Sequence, residues 1–175
     1  IKYDYAEAHL GLGAAFTSQG RLKEAITAYR KALKFKPDFY QAYNSLGNAL
    51  QKAGNLEEAI RAYKQALSIK KNYAEVYPNM SSALLKLDKV DQAIDACRMS
   101  LSLDPNSSPA YNNLANAFKE QGQLKEALRA YNHSLVCDPK NYDAIENLQN
   151  LAIQVYNSFS NFEYGVNERN IKLIS

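Results

Sequence analysis

Asparagine is the residue type whose spacing in this 175-residue chain most clearly indicates binding chemistry. Asn79, Asn113 and Asn147 follow one another at a constant interval of 34 residues. A carboxamide places one hydrogen-bond acceptor and two donors at the end of a short side chain. Such groups match the paired N–H and C=O groups of an extended peptide backbone. The spacing therefore predicts a row of amides, the asparagine ladder, that binds peptide with little demand on its sequence.

The cysteines and histidines, which could act in catalysis or bind a metal, are spaced in ways that predict neither function. Cys97 and Cys137 fall in predicted helices at apolar positions, so we predict two buried, reduced thiols. Two cysteines and two histidines at unrelated spacings form neither a disulfide framework nor a zinc site. His9 and His133 have no nucleophile or carboxylate at a suitable distance, and we expect both to pack or lie on the surface. We therefore expect no enzyme activity, no metal and no cofactor.

Composition narrows the classes of partner. The chain has 21 basic and 18 acidic residues, a formal charge of +3, which is too balanced to predict binding to nucleic acid or an anionic membrane. No apolar run approaches the length of a membrane span. No signal peptide is visible, so we expect the cytoplasm or another reducing compartment. The expected partner is a protein or a peptide.

A 34-residue internal repeat supplies the elements that position these side chains. An alanine recurs as Ala25, Ala59, Ala93 and Ala127, each with an apolar residue three positions before it and a leucine eight positions after it. A period in this range is typical of a solenoid, whose units bury their apolar faces only by stacking on one another. The chain is therefore predicted to be an elongated array with a concave surface.

Each unit is predicted to consist of a helix, a tight turn and a second helix. Apolar residues follow helical spacing on both sides of a turn glycine such as Gly54, and prolines such as Pro105 end the second helices. Small residues at position eight of each unit, such as Gly47, are expected to let tyrosines such as Tyr63 pack closely. The predicted boundaries are 1–5 for the end of a preceding unit, 6–39, 40–73, 74–107 (degenerate) and 108–141 for four units, 142–158 for a capping helix and 159–175 for a tail.

Unit three departs from this pattern. Lys71, near the end of unit two, replaces the inter-unit proline before it. Within unit three, Asp88 replaces the turn glycine, Ser81 the packing glycine and Cys97 the tyrosine. Pro78 falls at the fifth position of its first helix. A proline is tolerated in the first turn of a helix but breaks a hydrogen bond further in. We therefore predict that the first helix of unit three starts late or kinks.

Units one, two and four resemble the tetratricopeptide repeat. They share its aromatic residue or histidine at position four, leucine at seven, glycine or alanine at eight, alanine at twenty and tyrosine at twenty-four, and units one and four also have its proline at thirty-two. The resemblance covers residues 6 to about 150. It implies an all-α, right-handed α–α superhelix of four full helix-turn-helix repeats plus a C-terminal capping helix. In this family the first helices line the concave side.

That orientation defines the candidate binding residues, which all fall on the first helices or the capping helix. Asparagine is a mediocre helix former, so helix propensity does not account for its recurrence on one face. The alternative left open is that asparagine is simply a polar residue on a solvated face. The candidate groove residues are Asn44, Asn48, Asn79, Asn112, Asn113, Asn116, Asn147, Asn150, Lys52 and Lys86.

Two subfamilies provide a comparison for this groove. Residues 110–116 are similar to the repeat region of O-linked N-acetylglucosamine transferases, in which stacked asparagines hold the substrate peptide. A second subfamily clamps the C-terminal carboxylate of heat-shock chaperones. Asn48 and Asn79 fit the asparagine places of that clamp, but a carboxylate without cations would lose its charge-assisted bonds. The resemblance therefore disfavours a chaperone co-adaptor, because the basic places of the clamp hold Leu10, Pro109 and Asn113.

We predict a non-catalytic protein–protein interaction module, a scaffold that binds an extended peptide or partner segment in its groove through the asparagine ladder. An alternative is the substrate-recruiting region of a glycosyltransferase whose catalytic domain lies outside this chain. A second alternative is a structural array that self-assembles by end-to-end stacking. Residues 1–5 offer no N-terminal cap, so the apolar face of unit one at Leu12, Ala15 and Phe16 is expected to be partly open.

Overall fold

The computed structural model describes the backbone of residues 2–156 and the side chains of residues 5–156. The predicted tail 159–175 and the last two residues of the predicted capping helix lie outside this range. All regular secondary structure in the described residues is helical. The helices are α1 Lys2–Ser18, α2 Leu22–Phe35, α3 Tyr40–Lys52, α4 Leu56–Ile69, α5 Val76–Lys86, α6 Val90–Leu103, α7 Ser108–Glu120, α8 Leu124–Cys137 and α9 at residues 142–156.

The helices form four antiparallel pairs that stack in chain order. Within a unit the first helix packs on the second, as α1 does on α2, and each second helix then packs on the first helix of the next unit. Successive first helices also touch one another. Helix α9 closes the array by packing Leu148 and Leu151 on a cluster that contains Tyr131. The predicted all-α solenoid of four helix pairs and a capping helix is confirmed.

Apolar periodicity accounts for the helix pairs. In α4 the buried residues are Ala59, Ile60, Tyr63 and Ala66, which recur every three or four positions and form one stripe. The opposite face of this helix, including Lys64, is exposed. Because each stripe is complementary to two neighbouring helices, a unit buries its core only when other units stack on it.

Each turn between the two helices of a unit contains one residue in the left-handed region. In unit two, Asn55 N–H donates to the Leu50 carbonyl at 2.9 Å and Gly54 N–H donates to the Gln51 carbonyl at 3.1 Å, which is the Schellman pattern of helix termination. Unit three makes the same turn without glycine. The left-handed residues are Gly20 (φ 73°), Gly54 (83°), Asp88 (57°) and Gly122 (73°).

The small residue at position eight sets the distance between the helices of a unit. A Cβ atom added to Gly13 would lie 2.5 Å from Cε1 of Tyr29, and one added to Gly47 would meet the ring of Tyr63 in the same way. Contacts this short are not tolerated between carbon atoms, so Tyr29 and Tyr63 keep their positions only opposite glycine. Unit four instead pairs Ala115 with Tyr131, and both side chains are fully buried. This confirms that small residues permit the close approach of the two helices.

In unit three, Ser81 and Cys97 form the contact that glycine and tyrosine form in units one and two. The Ser81 hydroxyl donates to the Ala93 carbonyl at 3.1 Å and lies 3.0 Å from Sγ of Cys97. Both side chains are buried. Because cysteine is much smaller than tyrosine, it leaves room for the hydroxymethyl group of a serine.

Helix α5 starts late, as the sequence predicted. It begins at Val76, the third position of its unit, whereas α3 and α7 begin at Tyr40 and Ser108, the first position of theirs. Pro78 consequently lies in the first turn of α5, where an N–H group would have no partner within the helix. The late start thus accommodates the proline.

The expectation that the apolar face of unit one is partly open is confirmed at Leu12, which is 45% exposed whereas its counterpart Leu46 is only 7% exposed. Two other expectations need correction. Cys137 is half-buried rather than buried, because it is the last residue of α8. Helix α1 also runs without interruption across the unit boundary predicted between residues 5 and 6, so no turn separates the two segments.

Candidate functional site

Side chains of the first helices line a continuous groove along one side of the array. Its first part, which we call the lysine cleft, is lined by Thr17, Tyr29, Ser45, Asn48, Gln51, Lys52 and Lys86. The second part is lined by Ser82, Leu85, Lys86, Asn113, Asn116 and Glu120. A third part shares Ser82 and Asn113 with the second and extends to Asp143 on α9. The clefts are continuous because they share lining residues.

The three asparagines of the ladder occupy position six of their units, on α5, α7 and α9. Asn113 lines the second and third parts of the groove, and Asn79 lines an adjacent cleft beside Pro78. Each of the three asparagines is half-buried and donates its amide Nδ2 to an oxygen of the preceding unit. Their Oδ1 atoms accept no hydrogen bond from the residues that the structure describes, so this row offers acceptors to a ligand. The three bonds join Asn79 Nδ2 to Asn44 Oδ1 (3.4 Å), Asn113 Nδ2 to the Pro78 carbonyl (2.8 Å) and Asn147 Nδ2 to Asn112 Oδ1 (3.4 Å).

Asn44 and Asn112 hold the units together. Asn44 accepts from Asn79 and donates its own Nδ2 to Tyr73 Oη at 3.3 Å. Asn112 is only 8% exposed and its Oδ1 accepts from Asn147 Nδ2, although it also lines the third part of the groove. Position five lies where successive first helices touch, and the neighbouring unit therefore uses its amide.

Asn48 and Asn116 present the opposite polarity. Their Oδ1 atoms accept hydrogen bonds from buried tyrosines, Tyr63 at 2.8 Å and Tyr131 at 2.5 Å. Burial raises the pKa of Tyr63 far above its ordinary value and, with a smaller contribution from Glu120, raises the pKa of Tyr131 to about 12. Both phenols thus stay protonated and keep donating. The Nδ2 groups of the two asparagines have no partner among the described residues, so this row offers donors.

The remaining predicted groove residues are two lysines and Asn150, which lies on α9. Lys52 and Lys86 are the last residues of α3 and α5, are exposed, and form no ion pair with any residue that the structure describes. Both line the lysine cleft together with Asn48. Asn150 is exposed on α9. The structure thus brings one asparagine and two lysines of the predicted set into a single cleft.

Two kinds of groove residue were missed by the sequence analysis. Gln51 Oε1 and Asn48 Oδ1 each lie 2.8 Å from Tyr63 Oη and share its single proton. Gln51 Nε2 donates to Ser82 Oγ at 3.0 Å, which links units two and three across the groove. Gln51 and Ser82 could have been found from their positions on the predicted groove face. The tyrosines that orient Asn48 and Asn116 could not, because they belong to the second helices.

The histidines stack on aromatic rings, and Cys97 is buried in the core. The His9 ring stacks on Phe35 at 5.6 Å and the His133 ring on Tyr111 at 5.3 Å, which agrees with the packing and surface roles predicted for them. Burial raises the pKa of the Cys97 thiol to about 11. Across the described part of the chain, no three His, Cys, Asp or Glu residues cluster as metal ligands would. None of its helices has the length and apolarity needed to cross a bilayer.

Family comparisons identify the class of this protein. A TPR-repeat model matches residues 13–54, and tetratricopeptide-repeat models match residues 40–73, 74–107 and 96–129. The matches include unit three despite its departures, and together they run from residue 13 to residue 129. The chain is a tetratricopeptide-repeat protein.

Solved structures share the fold at low sequence identity. PilF of Pseudomonas aeruginosa is 19% identical with a TM-score of 0.78 over 93% of this chain and 74% of PilF. MamA is 23% identical with a TM-score of 0.72 over 88% of this chain and 89% of MamA. YrrB, described as a TPR protein with an unusual peptide-binding site, is 22% identical with a TM-score of 0.65 over 85% of this chain and 77% of YrrB. No curated protein sequence matches the chain significantly. The resemblance to O-linked N-acetylglucosamine transferases stays a prediction.

Proposed function

We propose that this protein is a non-catalytic interaction module that binds an extended peptide in the groove. The observation that carries the proposal is the polarity of the groove amides. Asn79, Asn113 and Asn147 offer acceptors, whereas Asn48 and Asn116 offer donors. An extended peptide presents N–H and C=O groups in equal number, so the two rows together complement its backbone. The peptide-binding site named for YrrB, which has the same fold, is consistent with this use.

The expected affinity is modest. A hydrogen bond between neutral groups contributes about 0.5–1.5 kcal/mol net, and five such bonds must offset the cost of ordering the peptide. We therefore expect dissociation constants on the order of micromolar or weaker and a broad tolerance of sequence. Such binding suits a scaffold, whose specificity comes from a few side-chain contacts added to a general backbone contact.

The double variant Asn48→Asp, Asn116→Asp tests the donor row. The substitution keeps the oxygen that accepts from Tyr63 or Tyr131 and replaces the free Nδ2 with an acceptor. We expect peptides selected by the wild-type protein from a random phage-displayed library to bind this variant at least about tenfold more weakly, as measured by fluorescence anisotropy. Unchanged affinity would exclude the donor row from the site.

A second variant tests the row of acceptors, and a control variant tests whether the added negative charge alone weakens peptide binding. Replacing Asn79, Asn113 and Asn147 with alanine should also weaken binding, and circular dichroism should show that helicity is retained. The matched control is Asn55→Asp with Asn132→Asp, two exposed asparagines outside the groove that add the same charge. If the control lowers affinity as much as the groove variant, added charge and not lost donors accounts for the effect.

End-to-end association is a second candidate function, and one observation favours it. The open side of unit one contains a cleft lined by Leu12, Phe16 and Ala28 among others, at the place where internal units are covered. A second copy could cover this apolar surface. Light scattering at several concentrations should then show assembly in the wild type and a monomer for Leu12→Glu. A wild type that is monomeric at all concentrations would exclude it.

Recruitment of substrate to a glycosyltransferase would use the same groove. A module with that role must accept peptides that carry a hydroxyl group for modification. Enrichment of serine and threonine among the selected peptides would favour this alternative, and their absence would favour a scaffold.

A further inference from the structure

The lysine cleft has a composition that a general peptide groove does not require. Lys52 and Lys86 approach it from successive units, Asn48 lies beside them, and no aspartate or glutamate is among the lining residues. Its volume of about 280 Å³ lies just below the usual range of about 300–1,000 Å³ for small-molecule sites, which suits a single side chain.

Most polar atoms in this cleft are already used by the protein. Thr17 Oγ1 donates to the Gly13 carbonyl at 2.9 Å and lies 3.1 Å from Tyr29 Oη. Gln51 Oε1 shares the Tyr63 hydroxyl proton with Asn48 Oδ1, and Gln51 Nε2 donates to Ser82 Oγ. These groups therefore have little left for a ligand.

The polar atoms that remain are predominantly donors. Asn48 presents Nδ2 because its Oδ1 is held by a tyrosine that stays protonated. The Nζ groups of Lys52 and Lys86 form no ion pair with the described residues. Lys52, Lys86 and Asn48 thus contribute two ammonium groups and one amide group to the lining of the same cleft, together with Ser45. An ammonium group has no acceptor capacity, so a ligand must supply oxygen lone pairs.

The neighbouring cleft shows that this charge is local. Lys86 also lines the second part of the groove, but position thirteen of unit four is Glu120 and the cleft there contains both signs. Lys52 and Lys86 hold position thirteen of units two and three. The cationic character is therefore confined to the lysine cleft.

We propose that the lysine cleft binds a carboxylate of the peptide, supplied by an aspartate or glutamate side chain or by the C-terminus. This inference rests on the proposed function and names the anchor residue of its ligand. Charge-assisted bonds to a carboxylate are shorter and stronger than those to the peptide backbone, so one acidic group fixes the register of a peptide held mainly through its backbone. The site differs from the chaperone clamp, whose basic places are occupied by uncharged residues in this chain.

The test starts with peptides selected from a random phage-displayed library on the full chain. We expect aspartate or glutamate to be enriched at one position, or acidic C-termini to be preferred. A selected peptide and its glutamate-to-glutamine or aspartate-to-asparagine version are then compared by fluorescence anisotropy. On the wild type, we expect the amide version to bind about tenfold more weakly. On Lys52→Gln, Lys86→Gln the two versions should bind equally.

A control variant and a peptide with an amidated C-terminus complete the test. Lys34→Gln with Lys64→Gln removes the same charge from exposed second-helix positions and should keep the wild-type preference. Amidation of the peptide C-terminus identifies the source of the carboxylate, because only a terminal anchor loses affinity. Equal binding of acidic and amide peptides to the wild type overturns the inference while leaving the proposed function intact. If the library yields no binding peptide at all, both fail.

Discussion

At the scale of single residues, the pair at positions eight and twenty-four decides how closely two helices approach. Gly47 and Tyr63 form this pair in unit two, and Ser81 and Cys97 form it in unit three. The tyrosine version places a hydroxyl at the groove, where it orients Asn48. The cysteine version cannot reach that far, and unit three accordingly has Ser82 in place of the asparagine. One packing contact therefore influences both stability and the polarity of the binding surface.

Gly47→Ala should destabilise the protein by about 1–3 kcal/mol, because its Cβ would clash with the ring of Tyr63. The matched control is Gly11→Ala in α1, where a Cβ meets nothing within 4 Å. Alanine is the better helix former, so the control should be neutral or stabilising by up to about 1 kcal/mol. Urea denaturation followed by circular dichroism measures both. Equal stability of the two variants would contradict this account of the contact.

The buried thiol makes a prediction about pH. Cys97 has a pKa of about 11, against an ordinary value of 9.0, because burial disfavours the thiolate. The unfolded chain therefore loses this proton at lower pH than the folded chain does. The contribution is fully present below about pH 9 and is lost as the pH rises towards 11. In denaturation experiments between pH 8 and 11, Cys97→Ala should lessen the alkaline loss of stability, and an unchanged pH profile would refute the assignment.

At the scale of elements, the turn of each unit is determined by backbone conformation more than by side-chain contacts. Three units use glycine and unit three uses Asp88, yet all four have the left-handed residue at the same place. The hydrogen bonds are also the same, since Lys89 N–H donates to the Leu84 carbonyl at 2.9 Å as its counterparts do. Unit three therefore adopts the common geometry at the expense of local strain.

Asp88→Gly should raise stability by about 1 kcal/mol, because glycine takes φ 57° without the steric penalty of a Cβ. Gly54→Ala should do the reverse in unit two, where φ is 83°. The melting temperatures of the two variants, compared with that of the wild type, measure both changes in stability. A lower melting temperature for Asp88→Gly would mean that the aspartate contributes more than its conformation costs.

At the scale of the whole molecule, every contact joins neighbours in the array. Second helices pack on the next first helix, and the amides of Asn79, Asn113 and Asn147 cross the α3–α5, α5–α7 and α7–α9 seams. These seams are therefore also the surface for which we propose peptide binding. A peptide lying along the groove would contact several units at once and should stiffen the array.

Leu151→Ala tests how far a local defect spreads. Leu151 is fully buried where α9 closes the array, so its truncation should cost about 2–5 kcal/mol. Because the contacts are between nearest neighbours, we expect hydrogen exchange to accelerate in α7, α8 and α9 and to change little in α1 and α2. A uniform loss of protection along the chain would show that the array unfolds as one cooperative unit.

The sequence by itself determined the helix pairs, their number and the late start of α5. These follow from local rules, because apolar periodicity, Gly54 and Pro78 act within a few residues of chain. It also placed Asn79, Asn113 and Asn147 at equivalent positions, because a strict repeat carries each side chain to the same place in every unit.

Only the tertiary structure decided which atoms of those side chains are available. The sequence does not distinguish Asn48, whose Oδ1 accepts from Tyr63 of the same unit, from Asn112, whose Oδ1 accepts from Asn147 on α9. The partner lies on another helix, and its distance depends on the packing of both.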